Sequence, residues 1–458
     1  MNWAFDCIGN NVRASLASLV ERGKTPVPAG LAVLLCASML LIMALPASAA
    51  PGNITLASTS DSGTKGNGAS TDVSLAGSGT KVAFRSTSTN LSPADTDTKA
   101  DIYVKDLTTG ILTLASTSST GVKGNGPNSP PAMSPGGGAV AFRSNSTNLV
   151  PADTDKTPDM YVKNLTTGNL LLASTSDQGV KGNSASEGPS ISADGTKVAF
   201  RFNGTNLDPG DTDTIGDIYV KDLTTGDITL ASTSSAGVKS NGLSYAADLS
   251  GDGTKVAFVS YATNLDPADR DAKPDIYIKD LVSGRLTLAS TSAVGAKGNG
   301  GSFSPSLSRD GSRVAFRSSS TNLDPGDSDT TPDVYVKDLS TGRIILASTS
   351  DTGTKGTGSS FLPIISQDGT AVTFRSDASN LDPADTDTLP DVYVKILATN
   401  NMVLASTSDG GVKGNGGSFG PWLSADGSVV GFRSDSTNLD PGDKDTIPDV
   451  YVKELSGS

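Results

Sequence analysis

Leu56-Ala57-Ser58-Thr59-Ser60 is the first of seven copies of a pentapeptide that returns every 58 residues, with no insertion or deletion between copies. The leucines that begin the copies are Leu56, Leu114, Leu172, Leu230, Leu288, Leu346 and Leu404. A strict internal period indicates stacked copies of one unit, because a single unit cannot bury its own apolar face. We therefore predict one cooperative domain over residues 50–458, with repeats starting near 54, 112, 170, 228, 286, 344 and 402.

Each repeat contains four short apolar segments separated by turn residues. In the third copy and its continuation, the segments are residues 189–192, 197–201, 217–221 and 228–231. Asp194-Gly195 separates the first two, and Asp-Gly between apolar runs is typical of a tight hairpin because both residues tolerate a positive φ. Asn400 stands where the third copy has Gly226. That exchange indicates a left-handed turn residue between the third and fourth strands.

The repeat predicts an all-β fold. Segments such as Val-Ala-Phe and Ile-Tyr-Val are apolar at successive positions, so both faces of each sheet should be covered. Seven such sheets around an axis form a seven-bladed β-propeller of four-stranded antiparallel blades. The repeats begin at a fourth strand and end after a third, so we expect strand 54–59 to complete the last blade. An open superhelical solenoid is the competing arrangement.

Residues 1–49 are predicted to be a signal peptide. Arg13, Arg22 and Lys24 precede an apolar run over 31–45, and small residues at 47–49 suit a signal peptidase. An uncleaved membrane anchor is the alternative, although fifteen apolar residues are short for a span. We expect a secreted, periplasmic or cell-envelope protein with no stable membrane insertion after cleavage.

The composition excludes several classes of function. The chain has no histidine, and both cysteines, Cys7 and Cys36, lie in the leader. The repeats therefore lack the residues for a His-assisted nucleophile and the commonest transition-metal ligands. A net charge of -13 disfavours nucleic acid and anionic lipid and favours cations or basic partners.

The connection between the second and third strands carries Asp-x-Asp-x-x-x-Asp in every copy. The residues are Asp95, Asp97 and Asp101; Asp153, Asp155 and Asp159; Asp211, Asp213 and Asp217; Asp269, Asp271 and Asp275; Asp327, Asp329 and Asp333; Asp385, Asp387 and Asp391; and Asp443, Asp445 and Asp449. Three carboxylates so close together repel one another, and a hard cation with six to eight oxygen ligands would offset the repulsion. Calcium is the predicted ion, although no copy has the glycine at position six or the distal glutamate of an EF-hand loop.

A purely structural role for these aspartates is the alternative. Each would cap a turn or accept backbone N–H bonds, and the arginine that ends the second strand would neutralise them. These arginines are Arg85, Arg143, Arg201, Arg317, Arg375 and Arg433. The lysines of the other long connection, Lys65, Lys123, Lys181, Lys239, Lys297, Lys355 and Lys413, are expected to be solvated rather than to cradle phosphate.

A binding site on a symmetric ring has to break the symmetry. On the innermost strand the equivalent positions carry Ser74, Ala132, Ser190, Asp248, Ser306, Ile364 and Trp422. Only Ile364 and Trp422 are large and apolar, and with Leu362 they form a candidate ligand patch near the channel. The fourth copy departs differently, with Val259 in place of arginine and with Tyr261 and Arg270 nearby. Sequence drift is the alternative explanation for both departures.

The motif Ser-x-Asp-Gly-x-x-Val-Ala-Phe, followed by Asn-Leu-x-Pro-x-Asp-Thr-Asp and Asp-Val-Tyr-Val-Lys-Asp-Leu-x-Thr-Gly, resembles the TolB-type, WD40-like propeller repeats of bacterial envelope and secreted proteins. The resemblance covers all seven copies. It implies the propeller fold and says little about function, because that family hosts several functions.

We expect a non-enzymatic binding or scaffold module for a protein or polysaccharide partner, stabilised by calcium. A carbohydrate-active hydrolase or lyase that uses aspartate and a cation is one alternative. A TolB-like structural or translocation component of the envelope is another.

Overall fold

The computed structural model describes residues 52–455, which form 28 β-strands in seven four-stranded antiparallel sheets. These sheets are the blades of a seven-bladed β-propeller, so the predicted fold class is confirmed. Within the described residues, no helix has the length and hydropathy needed to cross a membrane. The predicted signal peptide, residues 1–49, lies outside the described part of the chain.

The blades follow one another along the chain. Blade 1 contains β2 (Ser70–Leu75), β3 (Lys81–Ser86), β4 (Asp101–Asp106) and β5 (Leu112–Leu114); blade 2 contains β6 (Ala132–Met133), β7 (Ala139–Ser144), β8 (Asp159–Asn164) and β9 (Leu170–Leu172). Blade 3 contains β10 (Ser186–Ile191), β11 (Lys197–Phe202), β12 (Asp217–Asp222) and β13 (Ile228–Leu230); blade 4 contains β14 (Ser244–Leu249), β15 (Lys255–Ser260), β16 (Asp275–Asp280) and β17 (Leu286–Leu288). Blade 5 contains β18 (Ser302–Leu307), β19 (Arg313–Ser318), β20 (Asp333–Asp338) and β21 (Ile344–Leu346); blade 6 contains β22 (Ser360–Ile365), β23 (Ala371–Ser376), β24 (Asp391–Ile396) and β25 (Asn401–Leu404). Blade 7 combines β26 (Ser418–Leu423), β27 (Val429–Ser434) and β28 (Asp449–Glu454) with β1 (Ile54–Leu56).

The ring is closed by strands from both ends of the domain. β1 pairs antiparallel with β28, with Ile54 opposite Lys453 and Leu56 opposite Tyr451. The innermost strands of successive blades contact one another all the way round, including β2 against β26. The predicted closure is confirmed, and the open solenoid is wrong. The closing strand ends at Leu56 rather than at residue 59, because Thr59 turns back to bridge Lys65 in the following loop.

The two hairpins of each blade have the expected turn chemistry. In blade 3, Gly195 has a φ of 74° between the first and second strands, and Asp194 accepts a hydrogen bond from the Thr196 N–H at 3.0 Å. Gly226 has a φ of 85° between the third and fourth strands, and Asn400 adopts 63° at the equivalent place in blade 6. The exchange of glycine for asparagine thus marks a left-handed residue, as predicted.

The apolar core lies between the blades. Between blades 3 and 4, Val220 and Ala231 pack with Leu249, Phe258 and Tyr277. The fully buried rings of Phe258 and Tyr277 stack with centroids 6.0 Å apart, and the equivalent pair recurs in every blade. Both faces of each blade are covered because a neighbouring blade lies on each side, which explains the successive apolar residues in the strands.

A second contact between blades joins a strand lysine to the backbone at the end of the repeated pentapeptide. Lys221 in the third strand of blade 3 donates hydrogen bonds to the carbonyl oxygens of Thr175 and Ser176, each at 3.0 Å, at the end of blade 2. The equivalent lysines of the other blades are Lys105, Lys163, Lys279, Lys337, Lys395 and Lys453. Each ammonium therefore joins its own blade to the backbone of the preceding one.

A β-bulge interrupts the innermost strand of most blades. In blade 5, Phe303 pairs with Arg317 and Ser306 with Ala315, which leaves one extra residue in β18. In β18, the residue that follows Phe303 has a positive φ, and so has its equivalent in most other blades. The φ values are 58° for Asp72, 54° for Ala246, 52° for Ser304 and 51° for Leu362, and glycine occupies this position at 188 and 420. Pro130 stands at this place in blade 2, where the strand is only Ala132–Met133, because proline cannot adopt a positive φ.

Candidate functional sites: the Asp triads and the channel

We call the three aspartates of each Asp-x-Asp-x-x-x-Asp motif an Asp triad. The triads lie on the face of the ring that carries the long connections, because the third aspartate begins the third strand and the other two lie in the loop before it. In each triad the structure brings three carboxylate oxygens within 4.8 Å of one another. The three oxygens of each triad are thus close enough together for one cation to contact all of them.

The first aspartate of the triad is buried and accepts a hydrogen bond from a tyrosine of the third strand, and this bond recurs in all seven blades. In blade 3, Tyr219 Oη donates to Asp211 Oδ2 at 2.7 Å, and Asp211 is 1% exposed. Burial raises the pKa of Tyr219, and the bond to Asp211 raises it further, so the hydroxyl is a permanent donor. The apolar core between the blades therefore fixes this carboxylate.

The third aspartate is held by the first serine of the repeated pentapeptide. Ser232 Oγ donates to Asp217 Oδ1 at 2.6 Å and accepts the N–H of Ile218 at 3.1 Å. Both Asp217 and Ser232 are fully buried. The middle aspartate, Asp213, has a side chain that is 46% exposed. Each triad thus has two buried carboxylates and one at the surface.

A lysine ammonium lies among the three carboxylates. Lys239 Nζ is 2.7 Å from Asp217 Oδ2, 2.9 Å from Asp213 Oδ2 and 3.5 Å from Asp211 Oδ1. The same lysine occurs in every triad, as Lys65, Lys123, Lys181, Lys239, Lys297, Lys355 and Lys413. We call it the loop lysine. Its ammonium supplies a cation to each group of carboxylates.

Two predictions about charge neutralisation are therefore wrong. The loop lysines are not solvated, since the side chain of Lys239 is only 16% exposed. The strand arginines do not neutralise the triads: Arg201 pairs with Glu187 at 2.9 Å, and Arg85 pairs with Asp72 at 2.8 Å. The reason is position, because these arginines point from the second strand toward the first strand and the loop lysine reaches the triad from the other long connection.

An asparagine joins the two long connections beside each triad. In blade 4, Asn264 Nδ2 donates to the carbonyl oxygen of Lys239 at 2.9 Å, and its Oδ1 accepts the N–H of Asn241 at 3.0 Å. These bonds fix the backbone of Lys239, whose side chain enters the triad of blade 3. The asparagine therefore helps to position the loop lysine.

The charges in the triad depend on one another. Burial lowers the pKa of Lys239, but hydrogen bonds to Asp217 and Asp213 and the charges of Asp217 and Asp211 outweigh burial and raise it above the ordinary value. Burial raises the pKa of Asp217, and the bond to Lys239 opposes that rise. At the surface, the bond to Lys239 lowers the pKa of Asp213 although burial opposes it. The ammonium therefore favours the charged form of the buried carboxylate.

The candidate ligand patch is divided by the structure. Ile364 and Trp422 line a channel cavity of about 50 Å³, whereas Leu362 is 46% exposed at the bulge of β22 and is not part of that lining. A cavity of this size accommodates a few water molecules and no sugar ring. The role of these three side chains as a ligand site stays a prediction.

Asp248 is the one charged side chain that lines the same cavity. Its Oδ1 accepts a hydrogen bond from Ser190 Oγ at 3.0 Å, and its Oδ2 accepts one from the Leu307 N–H at 2.7 Å. Burial raises the pKa of Asp248 to about 6, although both hydrogen bonds oppose the rise. Asp248 thus connects blades 3, 4 and 5 at the channel wall.

A third departure from symmetry was not predicted from the sequence. At the start of the innermost strand, blades 5, 6 and 7 carry Phe303, Phe361 and Phe419, and each ring packs against an arginine of the second strand. The guanidinium carbons of Arg317, Arg375 and Arg433 lie 4.5, 4.6 and 4.5 Å from the ring centroids of Phe303, Phe361 and Phe419. The signal was present in the sequence, because blades 1 to 3 carry Thr71, Ser129 and Glu187 at this position.

A comparison with protein-family models finds no match, and neither does a comparison with curated proteins. Several solved structures share the fold. An oligogalacturonate lyase in complex with manganese is 16% identical, with a TM-score of 0.53 over 89% of this chain and 99% of that chain. The β-propeller domain of the Trilobed protease from Pyrococcus furiosus is 12% identical, with a TM-score of 0.51 over 85% of this chain and 96% of that chain.

TolB from Acinetobacter baumannii is 19% identical, with a TM-score of 0.40 over 66% of this chain. The chain spans 58% of the length of that protein. At such low identity, structural likeness identifies the fold and not the activity. The chain shares the β-propeller fold with the lyase and the protease domain, and its function has to be argued from its own residues.

Proposed function

We propose that the protein is a non-enzymatic β-propeller, secreted or located in the cell envelope, that binds a protein or polysaccharide partner. The observation that carries the proposal is the sevenfold equivalence of the charged groups on the long-loop face. Each triad is compensated by its own tyrosine, serine and lysine. A catalytic carboxylate needs an environment that distinguishes it from its neighbours, and seven equivalent triads provide no such distinction.

The channel supports the same proposal. Asp248 is the carboxylate that breaks the symmetry, and its raised pKa is the kind of perturbation expected of a general acid. Both of its oxygens, however, accept hydrogen bonds from Ser190 and Leu307. The adjoining cavity of about 50 Å³ is too small for a saccharide. Asp248 is therefore better explained as a contact between blades than as a catalytic group.

A hydrolase or lyase remains the alternative to a binding module. The structural likeness to an oligogalacturonate lyase covers most of both chains, but at 16% identity it supports the fold alone. Incubation of the protein with a panel of polysaccharides, with detection of both binding and product release, tests the two proposals. Binding without turnover supports the module. Product release that disappears in Asp248→Ser, or on mutation of one triad, would establish an enzyme.

A protein partner requires a different assay. This part of the proposal is tested by affinity capture from the envelope fraction of the source cells, followed by reconstitution with the purified partner. The same experiment tests whether the protein is a structural component of the envelope. A partner that binds with a measurable dissociation constant supports the module. Absence of any saturable binding to protein or glycan would contradict it.

Calcium at the triads is the second candidate function. It is favoured by the three carboxylate oxygens that lie within 4.8 Å of one another. A bound ion would have to displace an ammonium that lies 2.7 to 2.9 Å from the third aspartate of each triad. Calorimetric titration of the wild-type protein with calcium tests the candidate. Saturable uptake of calcium would support it, and absence of heat would leave the ammonium as the cation of the site.

A further inference from the structure

Phe303, Arg317, Phe361, Arg375, Phe419 and Arg433 form a continuous stack across blades 5, 6 and 7, which we call the aromatic–arginine ladder. Arg317 lies 4.5 Å from the ring centroid of Phe303 and 5.2 Å from that of Phe361. Arg375 similarly lies 4.6 Å from Phe361 and 5.4 Å from Phe419. Stacking covers the faces of the guanidinium groups and leaves their in-plane N–H donors to make hydrogen bonds.

Arg317 differs from the other arginines of the ladder because it has no anionic partner. Arg375 pairs with Asp377 at 3.0 Å, and Arg433 pairs with Asp435 at 3.5 Å. Among the described residues, Arg317 forms neither an ion pair nor a side-chain hydrogen bond, whereas a buried Nε without an acceptor is common to all three arginines of the ladder. Ser319 stands where blades 6 and 7 have Asp377 and Asp435. A half-buried guanidinium held between two rings with unused donors is prepared to bind a carboxylate in a bidentate manner.

A groove beside Phe303 adds polar groups suited to a carbohydrate. This surface groove of about 500 Å³ is lined by Phe303 together with Lys273, Asn299, Thr321 and Thr330. Its volume is in the range of small-ligand sites. Lys273 is exposed, donates to the carbonyl oxygen of Asn299 at 2.6 Å and forms no ion pair among the described residues. Arg317 is not part of the groove lining, but it stacks on Phe303, which is. Two cations without an acidic partner therefore lie close to Phe303.

We propose that the groove beside Phe303, with Arg317 and Lys273, binds a carboxylate-bearing polysaccharide. Arg317 receives one carboxylate, Lys273 a second, and the hydroxyl and amide groups of the groove bond to sugar hydroxyls. This inference rests on the proposed binding function and specifies the ligand class. The overall negative charge of the chain opposes a polyanion at long range, so recognition depends on short-range contacts in this sector.

Binding of polygalacturonate, neutral dextran and poly-glutamate to the purified exported chain tests the proposal by calorimetry. We expect saturable binding of polygalacturonate, and at least a tenfold loss of affinity in Arg317→Gln. The matched control is Arg143→Gln, at the equivalent position in blade 2, where the partner is Ser129 and no aromatic ring is present. Phe361→Leu should weaken binding several-fold by loosening Arg317, whereas Phe361→Tyr preserves the stack and should leave binding unchanged.

Other outcomes overturn the inference in distinguishable ways. Equal loss in Arg317→Gln and Arg143→Gln, with unfolding midpoints unchanged, would show that the ladder is not the site. Binding of poly-glutamate alone would assign the surface to an acidic protein. Binding of dextran or of an envelope protein that Arg317→Gln leaves intact would contradict this inference while leaving the proposed function in place.

Discussion

Substitution of one loop lysine by methionine should destabilise the whole propeller. In Lys239→Met the ammonium is lost, but the buried Asp211 and Asp217 remain, each with a fully buried side chain. Removing one partner of a buried ion pair costs about 3–5 kcal/mol. We expect the lower end, about 3 kcal/mol, because Lys239 is 16% exposed and water can reach the vacated position. At about 2 °C for each kcal/mol in a large domain, the midpoint should fall by about 6 °C.

The assay is thermal unfolding followed by far-ultraviolet circular dichroism at pH 8 and at pH 5. Burial already raises the pKa of Asp217, and loss of Lys239 should raise it further. A carboxyl with a raised pKa in the folded state binds a proton more tightly when folded, so the penalty should be smaller at pH 5 than at pH 8.

The matched control is Lys99→Met. Lys99 forms an exposed pair with Asp97 at 3.0 Å, with side chains 46% and 40% exposed. Loss of such a surface pair should cost at most about 1 kcal/mol. Equal midpoints for the two variants, or a penalty for Lys239→Met that does not change with pH, would refute the buried triad as a stabilising unit.

The remaining predictions concern the pH dependence, the pentapeptide, the bulge and the channel. The pKa of the loop lysine is raised on folding, so its stabilisation should be complete below pH 10.5 and lost above it; a midpoint that falls instead between pH 8 and 10 would contradict this assignment. Ser58→Ala removes the hydrogen bond from Ser58 Oγ to Asp449 at 2.7 Å and leaves a buried carboxylate short of a donor. The free energy of unfolding, measured by chemical denaturation, should therefore fall by about 1–3 kcal/mol. An unchanged value would mean that the pentapeptide serine does not stabilise the fold. Leu362 has a φ of 51°, so Leu362→Gly should raise the denaturation free energy by about 1 kcal/mol, and a decrease would show that the leucine side chain stabilises the fold by packing. The pKa of Asp248 is about 6 in the folded protein, above its ordinary value of 3.8. The free energy of unfolding of the wild type should therefore rise relative to that of Asp248→Ser as the pH falls from 6 toward 4. Parallel curves of unfolding free energy against pH would show that Asp248 does not titrate in this range.

The fold could be predicted from the sequence because its determinants are local and repeated. Asp194-Gly195 and Gly226 fix the turns, and the apolar runs fix strands that are covered on both faces. The number of copies determines the number of blades, and the point in the repeat at which the copies begin determines the closure by β1. The exact end of β1 could not be predicted, because Thr59 leaves the strand to pair with a residue of the following loop.

The candidate sites were predicted less well because they depend on contacts between distant residues. The sequence identified the Asp triads but not their cation, since Lys181 meets Asp155 across 26 residues and a glycine-rich loop. The positive φ of Leu362 could not be predicted, because leucine is not a residue type typical of that conformation. It arises from the β-bulge where β22 pairs with β23. The ladder arises because the ring brings Phe361 of one blade against Arg317 of the previous one.

The most direct test of the account is thermal unfolding of the wild type and Lys239→Met, each in millimolar calcium and in chelator. If the loop lysine is the cation of the triad, the wild-type midpoint should be the same in both conditions. In the variant, the vacated carboxylates can accept the metal, so calcium should raise the midpoint toward that of the wild type. A wild-type midpoint that rises with calcium would contradict the assignment of the loop lysine ammonium as the cation that neutralises each triad.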